Sequence, residues 1–206
     1  MASVASPYGL KPVNELGGTP YAGATRSYLI DPAGTASSIY NGSPVYVNAS
    51  GYLAVATATG ADATTNGFPT GTANTGIIGV FVGCSYINTQ GQVIYAQYYP
   101  ANTTGVVSAY VIDDDRAVFQ VQAAGTISQT ELGNNVYLAN AQSTSTGSTT
   151  TGNSNVAVNA TAITTTAAFR IVGFVNSTTS QVGDAYTDIL VKFNPGYHSY
   201  SNAVGL

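Results

Sequence analysis

The sequence predicts a mainly β protein: a β-barrel or β-sandwich body with an extended N-terminal arm and long Thr/Ser/Gly-rich loops. Short Val- and Ile-rich runs recur between Gly, Asn, Asp and Pro residues, which is the pattern of strands and turns. No segment of eleven or more residues shows the 3.6-residue apolar period of a helix. The chain has 206 residues, 44% of them hydrophobic, which is enough for one large domain with its own core.

Residues 1–26 are expected to form an extended arm. The segment contains three prolines and the pair Gly17-Gly18, and it shows no lasting periodicity. Proline removes a backbone donor and favours extended backbone at its own position and the one before it. We therefore expect this arm to lie on a neighbouring subunit rather than to fold alone.

From residue 27 onwards the chain reads as strands and turns. Segments 45–47 and 52–55 are joined by a polar, Gly-terminated turn, which predicts a hairpin. The nearly continuous apolar run at 77–82 predicts a strand buried on both faces. One short helix is expected near Thr130, Glu131 and Leu132. The other predicted strands are 27–30, 93–99, 106–112, 117–121, 169–175 and 189–193.

Two long segments of low complexity, 56–76 and 141–167, occupy matching places in the chain. Each follows a Gly-x-x-Val-Tyr sequence and precedes an Ile-x-Gly-hydrophobic sequence, at offsets of 91 and 94 residues. This echo leaves two interpretations open. Either the 27–206 domain contains two similar β-units, at about 27–125 and 126–206, or it contains two similar strand pairs in one barrel.

Charge is scarce in this chain, which has five Lys and Arg, nine Asp and Glu, and a net charge of −4. A nucleic-acid binder needs several cations on one face, and the basic residues are few and scattered. No run approaches the ~20 apolar residues of a membrane span. The N-terminus lacks the pattern of a secretory signal. We expect no nucleic-acid or membrane partner and synthesis in cytoplasm.

The charge cluster Asp113-Asp114-Asp115-Arg116 has two interpretations. It is either a solvated turn between the strands at 106–112 and 117–121 or a cation site, since closely spaced carboxylates bind calcium. The spacing of an EF-hand is missing, so the turn is favoured and no metal is predicted.

Other reactive side chains do not form a recognisable catalytic motif. Cys84 and His198 would need an orienting acid to work as a hydrolase pair, and Cys84 follows a strand that is expected to be buried. Asp184 and Asp188 could suggest a glycosidase pair, but Asp188 is better explained as the start of a strand. The sequence predicts no catalytic residue and no cofactor, and therefore not an enzyme.

The 15 tyrosines are the strongest positive feature, because tyrosine gives an interface a large contact area and one hydrogen-bonding tip. Most of them are expected to serve the β body, and a minority to contact partners. The candidate partner-binding residues, from the arm and from the tyrosines, are Pro7, Tyr8, Leu10, Lys11, Pro12, Tyr21, Arg26, Tyr98, Tyr99, Tyr197 and Tyr200.

Several of these sequences together resemble capsid decoration, or cement, proteins of tailed bacteriophages. The resemblance runs from about residue 3 to 193 and does not include the long Thr-rich segments. It is one of pattern, and it is carried by residues 6–13 (Ser-Pro-Tyr-Gly-Leu-Lys-Pro-Val), 23–26, 42–51, 77–86 and 109–115.

The resemblance implies a structural virion protein that binds the outside of the assembled capsid and cements major capsid protein subunits together. It implies a β-barrel or β-sandwich body on the capsid surface, often as a homotrimer, with an arm that clamps neighbouring subunits. It carries no catalytic residues. Two alternatives stay open: a tail or fibre component that contacts the host surface, and a carbohydrate-binding β module with tyrosines as sugar platforms.

Overall fold

The computed structural model describes residues 3–56, 76–139, 147–165 and 167–201, and it is mainly β. Within these ranges eleven strands form two multi-stranded sheets, and the two short helices are single 3-10 turns at Gln129–Glu131 and Ser199–Ser201. The strands are β1 (Lys11–Glu15), β2 (Arg26–Ile30), β3 (Pro44–Val47), β4 (Leu53–Val55), β5 (Ile77–Ile87), β6 (Val93–Ala96), β7 (Val107–Ile112), β8 (Ala117–Gln122), β9 (Asn135–Val136), β10 (Phe169–Phe174) and β11 (Asp188–Phe193).

The first sheet closes into a five-stranded barrel. Its strands follow the order β3-β4-β2-β7-β5-β6, and an additional pairing of β3 with β5 completes the ring, so that β6 projects from β5 as an extension. All pairings are antiparallel except that of β2 with β4. Alternate residues of the ring strands point inwards, and they fill the barrel with Ile30, Val45, Leu53, Phe81, Cys84 and Val107, among others.

The second sheet is open and antiparallel, with the order β1-β8-β11-β10-β9. One of its faces packs on the barrel. The larger core cluster joins Phe119, Phe169 and Phe193 of the open sheet to Ile77 and Val80 of β5. Because neighbouring residues of β5 point to opposite sides, this strand serves both cores, as the apolar run at 77–82 predicts.

The predicted strands are found within one or two residues of their expected bounds, except that β6 is shorter and β5 longer than expected. The hairpin of β3 and β4 and the short helix near Thr130 are also present. Two strands were not predicted. β9 has only two residues, and β1 contains Pro12 and two charged residues, so both lack an apolar alternation.

The segment predicted to be an arm packs on the protein's own body as far as Glu15. Leu10 is 1% exposed and belongs to the larger core cluster, and β1 pairs with β8. The chain enters this core at Gly9, where an added Cβ would lie 3.0 Å from the Cα of Gly42. Residues 3–15 therefore pack on the body of their own chain, and an extended arm is not confirmed over this part of 1–26.

The sequence echo corresponds to two antiparallel strand pairs with different registers. Val45 of β3 pairs with Gly79, the glycine of its Ile-x-Gly sequence. Val136 of β9 pairs with Phe169, four residues before the equivalent Gly173. The chain passes from the barrel to the open sheet at residues 113–116, so β8 belongs to the open sheet. The strands between residues 27 and 125 are therefore divided between the two sheets.

Most of the first low-complexity segment, 57–75, and residues 141–146 and 166 of the second lie outside the described residues. The described part of the second segment contributes to the core. Val156 and Val158 are fully buried in the larger cluster, and Val158 bridges both Ala123 and Leu138. This part of the Thr-rich sequence is therefore packed against the body.

Candidate binding surfaces

Three of the candidate partner-binding residues lie inside the protein's own core. Leu10 is 1% exposed, Tyr99 0% and Tyr197 7%. The Tyr99 hydroxyl accepts a hydrogen bond from the Thr35 backbone N and donates one to the Thr103 carbonyl. These side chains have no surface left for a partner, because tyrosine is as suitable for a core with one polar contact as for an interface.

Tyr8 and Lys11 form a small polar cluster with Asp188 on the open sheet. The Tyr8 hydroxyl donates to Asp188 Oδ1 at 3.0 Å, and Lys11 Nζ lies 4.2 Å from the centre of the Tyr8 ring, within the range of a cation–π contact. Burial, more than the Asp188 carboxylate, raises the pKa of Tyr8. Burial also raises the pKa of Asp188, although the hydrogen bond from Tyr8 and the charge of Lys11 both act to lower it. Pro7 and Pro12, on either side, are half-buried.

The N-terminal residues lie over a groove, and the buried side chain of Gln122 makes two of the hydrogen bonds that hold them there. The Gln122 amide accepts from the Ser6 backbone N at 2.8 Å and donates to the Val4 carbonyl at 3.1 Å. Ser3 Oγ accepts from the Tyr186 backbone N. The groove has a volume of about 450 Å³ and is lined partly by Tyr8 and Asp188. The first residues of the chain are thus attached chiefly by hydrogen bonds.

Arg26 and Tyr200, which are 174 positions apart in sequence, meet in a second polar cluster. Arg26 Nε lies 3.0 Å from Asp113 Oδ2, and its Nη1 donates to the Tyr200 hydroxyl at 2.7 Å. The Tyr28 hydroxyl donates to Asp113 Oδ2 at 2.7 Å and lies 2.7 Å from the Tyr200 hydroxyl. Burial is the largest cause that raises the pKa of Tyr28. This cluster ties β2 to the 113–116 corner and to the C-terminal segment.

Tyr21 lies near this cluster, and burial followed by the carboxylates of Asp114 and Asp113 raises its pKa. The corner itself is built as a turn, since Asp114 Oδ1 accepts from the Arg116 backbone N at 2.8 Å. Within the described part of the chain, no group of three His, Cys, Asp or Glu side chains is placed to hold a metal ion.

Cys84 and His198 lie in different environments. Cys84 is inside the barrel, where burial raises the pKa of its thiol to about 12, so the nucleophilic thiolate is scarce at neutral pH. His198 is fully buried beside the ring of Phe193, and burial lowers its pKa. Asp184 accepts a hydrogen bond from the Gln181 backbone N in a turn, whereas Asp188 is engaged by Tyr8.

Tyr98 stacks on Tyr40, with ring centres 5.4 Å apart and an interplanar angle of 15°. The side chain is half-buried, and stacking of this kind contributes about 0.5–1.5 kcal/mol beyond the area buried. Tyr98 therefore has a structural contact of its own and offers a partner only part of its surface.

One further surface, which no sequence pattern indicated, is the outer face of the barrel. Tyr95 of β6, Ser85 of β5, Ser108 of β7 and Leu29 of β2 are successive cross-strand partners. Directly paired residues point to the same side of a sheet, so these four form one row across four strands.

A second row of the outer face contains Ile87, which pairs with Val93. Val106 directly precedes β7, and the alternation of that strand, extended by one residue, places it on the same side as Ser108. The exposed fractions of Leu29, Ile87, Val93, Tyr95 and Val106 are 49%, 62%, 60%, 78% and 67%. They make up half of the large hydrophobic side chains that are exposed in the described residues.

The outer face is almost without charge. Asp62 is the sole charged residue in the sequence from 32 to 112. At the margin of the face, Asp31 accepts a hydrogen bond from the Ala33 backbone N. A contiguous neutral surface that exposes several apolar side chains is typical of an interaction site.

No known protein family, curated protein sequence or solved structure matches this chain. In the parts of the chain that the structure describes, no helix is long and apolar enough to cross a membrane.

Proposed function

We propose that the protein is a structural virion protein that binds the outside of an assembled capsid and holds neighbouring major capsid subunits together. The observation that carries this proposal is the outer face of the barrel, a neutral sheet surface with five exposed hydrophobic side chains. The resemblance of the sequence to phage decoration proteins supports the same assignment. The partner would be a protein surface that is equally poor in charge.

The physical argument rests on desolvation. Burial of apolar surface contributes about 25 cal/mol per Å², whereas burial of a charge is costly unless it is paired. The outer face exposes Leu29, Ile87 and Val106 beside neutral serines. A partner that covers it therefore buries apolar surface and does not bury an unpaired charge. A subunit that binds the assembled shell better than free capsid subunits stabilises the shell by mass action.

The test is binding of the purified protein to preformed empty capsids that lack it, measured by co-sedimentation. The double variant Leu29→Ser/Val106→Ser removes exposed apolar groups from β2 and from the residue directly before β7, away from the free edge of β6. We expect its affinity to fall at least tenfold, which corresponds to about 1.4 kcal/mol. The matched control Val4→Ser/Leu132→Ser changes exposed apolar residues elsewhere and should bind like the unchanged protein.

Two results would contradict this proposal in different ways. If the Leu29/Val106 variant binds capsids as tightly as the unchanged protein, the outer face is not the contact. If the unchanged protein does not bind capsids, the assignment itself is wrong. Binding to a glycan panel, or to the host surface, would then favour the carbohydrate-binding or tail alternatives.

A further inference from the structure

Strand β6 leaves one side of its backbone free. It is the last strand in the order of its sheet, and its pairing is with β5 alone. In the described residues no other segment pairs with Val93–Ala96. A free strand edge presents backbone donors and acceptors that can pair with another chain.

The open sheet protects its two edge strands, and this contrast makes the edge of β6 informative. β1 carries Lys11, Pro12 and Glu15, and its register shifts between Pro12 and Asn14. β9 is two residues long, and Asn135 is bridged by Ile163. Charges, proline, irregular register and short length are the means by which proteins prevent edge pairing.

β6 has four residues, and it contains no charge, no proline and no irregular register. Its sequence is Val-Ile-Tyr-Ala, flanked by Gln92 and Gln97, and its pairing with β5 is regular over all four residues. Val93 and Tyr95 are 60% and 78% exposed. A regular, uncharged and apolar edge is expected to be covered when the protein is at work.

The distribution of charge indicates that a second copy of the chain can cover it. Two copies repel each other because each has a net charge of −4, so they associate most easily where charge is fewest. The sequence from 32 to 112, which includes β6, contains one charged residue. A twofold axis beside β6 would place identical strands antiparallel.

We propose that Val93–Ala96 pairs antiparallel with the same strand of a second copy. This pairing joins the outer faces of two barrels into one continuous sheet. The inference rests on the free edge and does not depend on capsid binding. A twofold pair also differs from the homotrimer that the sequence resemblance implies, so the mass in solution separates the two.

The experiment measures the mass of the full chain by sedimentation equilibrium, without capsids. We expect a species of twice 21.0 kDa that dissociates on dilution. The variant Val93→Lys/Tyr95→Lys places like charges opposite each other across the axis and should be monomeric. The control Leu29→Lys adds one lysine to the outer face, three strands away from the edge, and it should remain a dimer.

Hydrogen exchange of the backbone amides in Val93–Ala96 gives a second measurement. The amides on the free edge should exchange more slowly as protein concentration rises, and this effect should be lost in the double lysine variant. A monomer at millimolar concentration, a trimer, or a dimer that persists in the double lysine variant would each overturn the proposal. A monomeric Leu29→Lys would overturn it as well, because the contact would then belong to the face instead of the edge.

Discussion

The barrel and the open sheet share one core, yet they differ in charge. The stretch from residue 26 to 112, which contains every barrel strand, includes only Arg26, Asp31 and Asp62 of the 14 charged residues. The other eleven belong to the remaining sequence, which forms the open sheet and its connections. Part of the barrel surface therefore relies on neutral side chains such as Ser85 and Ser108 for its contact with water.

This difference indicates that the two regions have different tasks. The open sheet holds the core together and protects its edges with charge, proline and short length. The barrel closes on itself, which removes the edges of its ring, and leaves a neutral face and the edge of β6 exposed. Stability and association can thus be tested separately by substitutions in the two regions.

The largest expected effect comes from a pair of glycines that the sequence echo makes equivalent. A Cβ added at Gly79 of β5 would lie 2.0 Å from the carbonyl oxygen of Ile112, a backbone atom that cannot move alone. A Cβ at Gly173 of β10 would lie 3.3 Å from Leu190 Cδ1, at the end of a flexible side chain. A side chain at this position would therefore meet backbone in the barrel, whereas in the open sheet it would meet a side chain that has to move only slightly.

We expect Gly79→Ala to destabilise the protein by about 3 kcal/mol or more, at or above the upper end of the range for overpacking. Gly173→Ala should change the free energy of unfolding by less than about 1 kcal/mol. Urea denaturation of both variants measures the difference. Equal losses of stability in the two variants would show that the close approach of β5 to β7 does not decide whether a side chain is accepted at position 79.

The strands could be predicted from sequence because their signals are local. The alternation in 117–121 and the apolar run at 77–82 are properties of neighbouring residues. Closure of the barrel depends on the pairing of β3 with β5, which are separated in sequence by β4 and a long polar segment, and no local pattern encodes it. The prolines of segment 1–26 indicate extended backbone but not the surface on which that backbone lies, and so the sequence predicts an arm there.

The candidate binding surfaces were harder to predict, because they too depend on contacts between residues that are distant in sequence. Arg26 and Tyr200 are separate candidates in the sequence, and the fold brings them together. Leu10, Tyr99 and Tyr197 are candidates by residue type, which does not distinguish a core from an interface. The outer face depends on the register of four strands.

A smaller effect is expected at the junction between the barrel and the C-terminal segment. Tyr28→Phe removes the hydroxyl that lies 2.7 Å from both Asp113 Oδ2 and the Tyr200 hydroxyl. A hydrogen bond of this kind contributes about 1 kcal/mol, and we expect a loss of that size in thermal or urea unfolding. Tyr95→Phe removes a hydroxyl from a side chain that is 78% exposed and should be neutral. Equal effects at the two positions would contradict a role for this cluster in stability.

The smallest effect concerns pH and the single histidine of the chain. Burial lowers the pKa of His198, and the carboxylates of Asp115, Asp113 and Asp114 oppose this without reversing it. The unfolded chain, with an ordinary histidine pKa near 6.5, therefore binds a proton at a higher pH than the folded chain does. Where the unfolded state binds more protons, stability rises with pH.

The free energy of unfolding should accordingly decrease as the pH falls from about 7.5 to 6, by no more than about 1 kcal/mol. The variant His198→Gln has no group that titrates at this position, so its stability should change less over the same interval, whatever its absolute value. Urea denaturation at the two pH values measures both slopes. An increase in stability on acidification would mean that the three carboxylates outweigh burial, and that His198 is charged within the fold. That result would make the 113–116 corner and the C-terminal segment an electrostatic pair, instead of two parts joined by hydrogen bonds through Tyr28 and Tyr200.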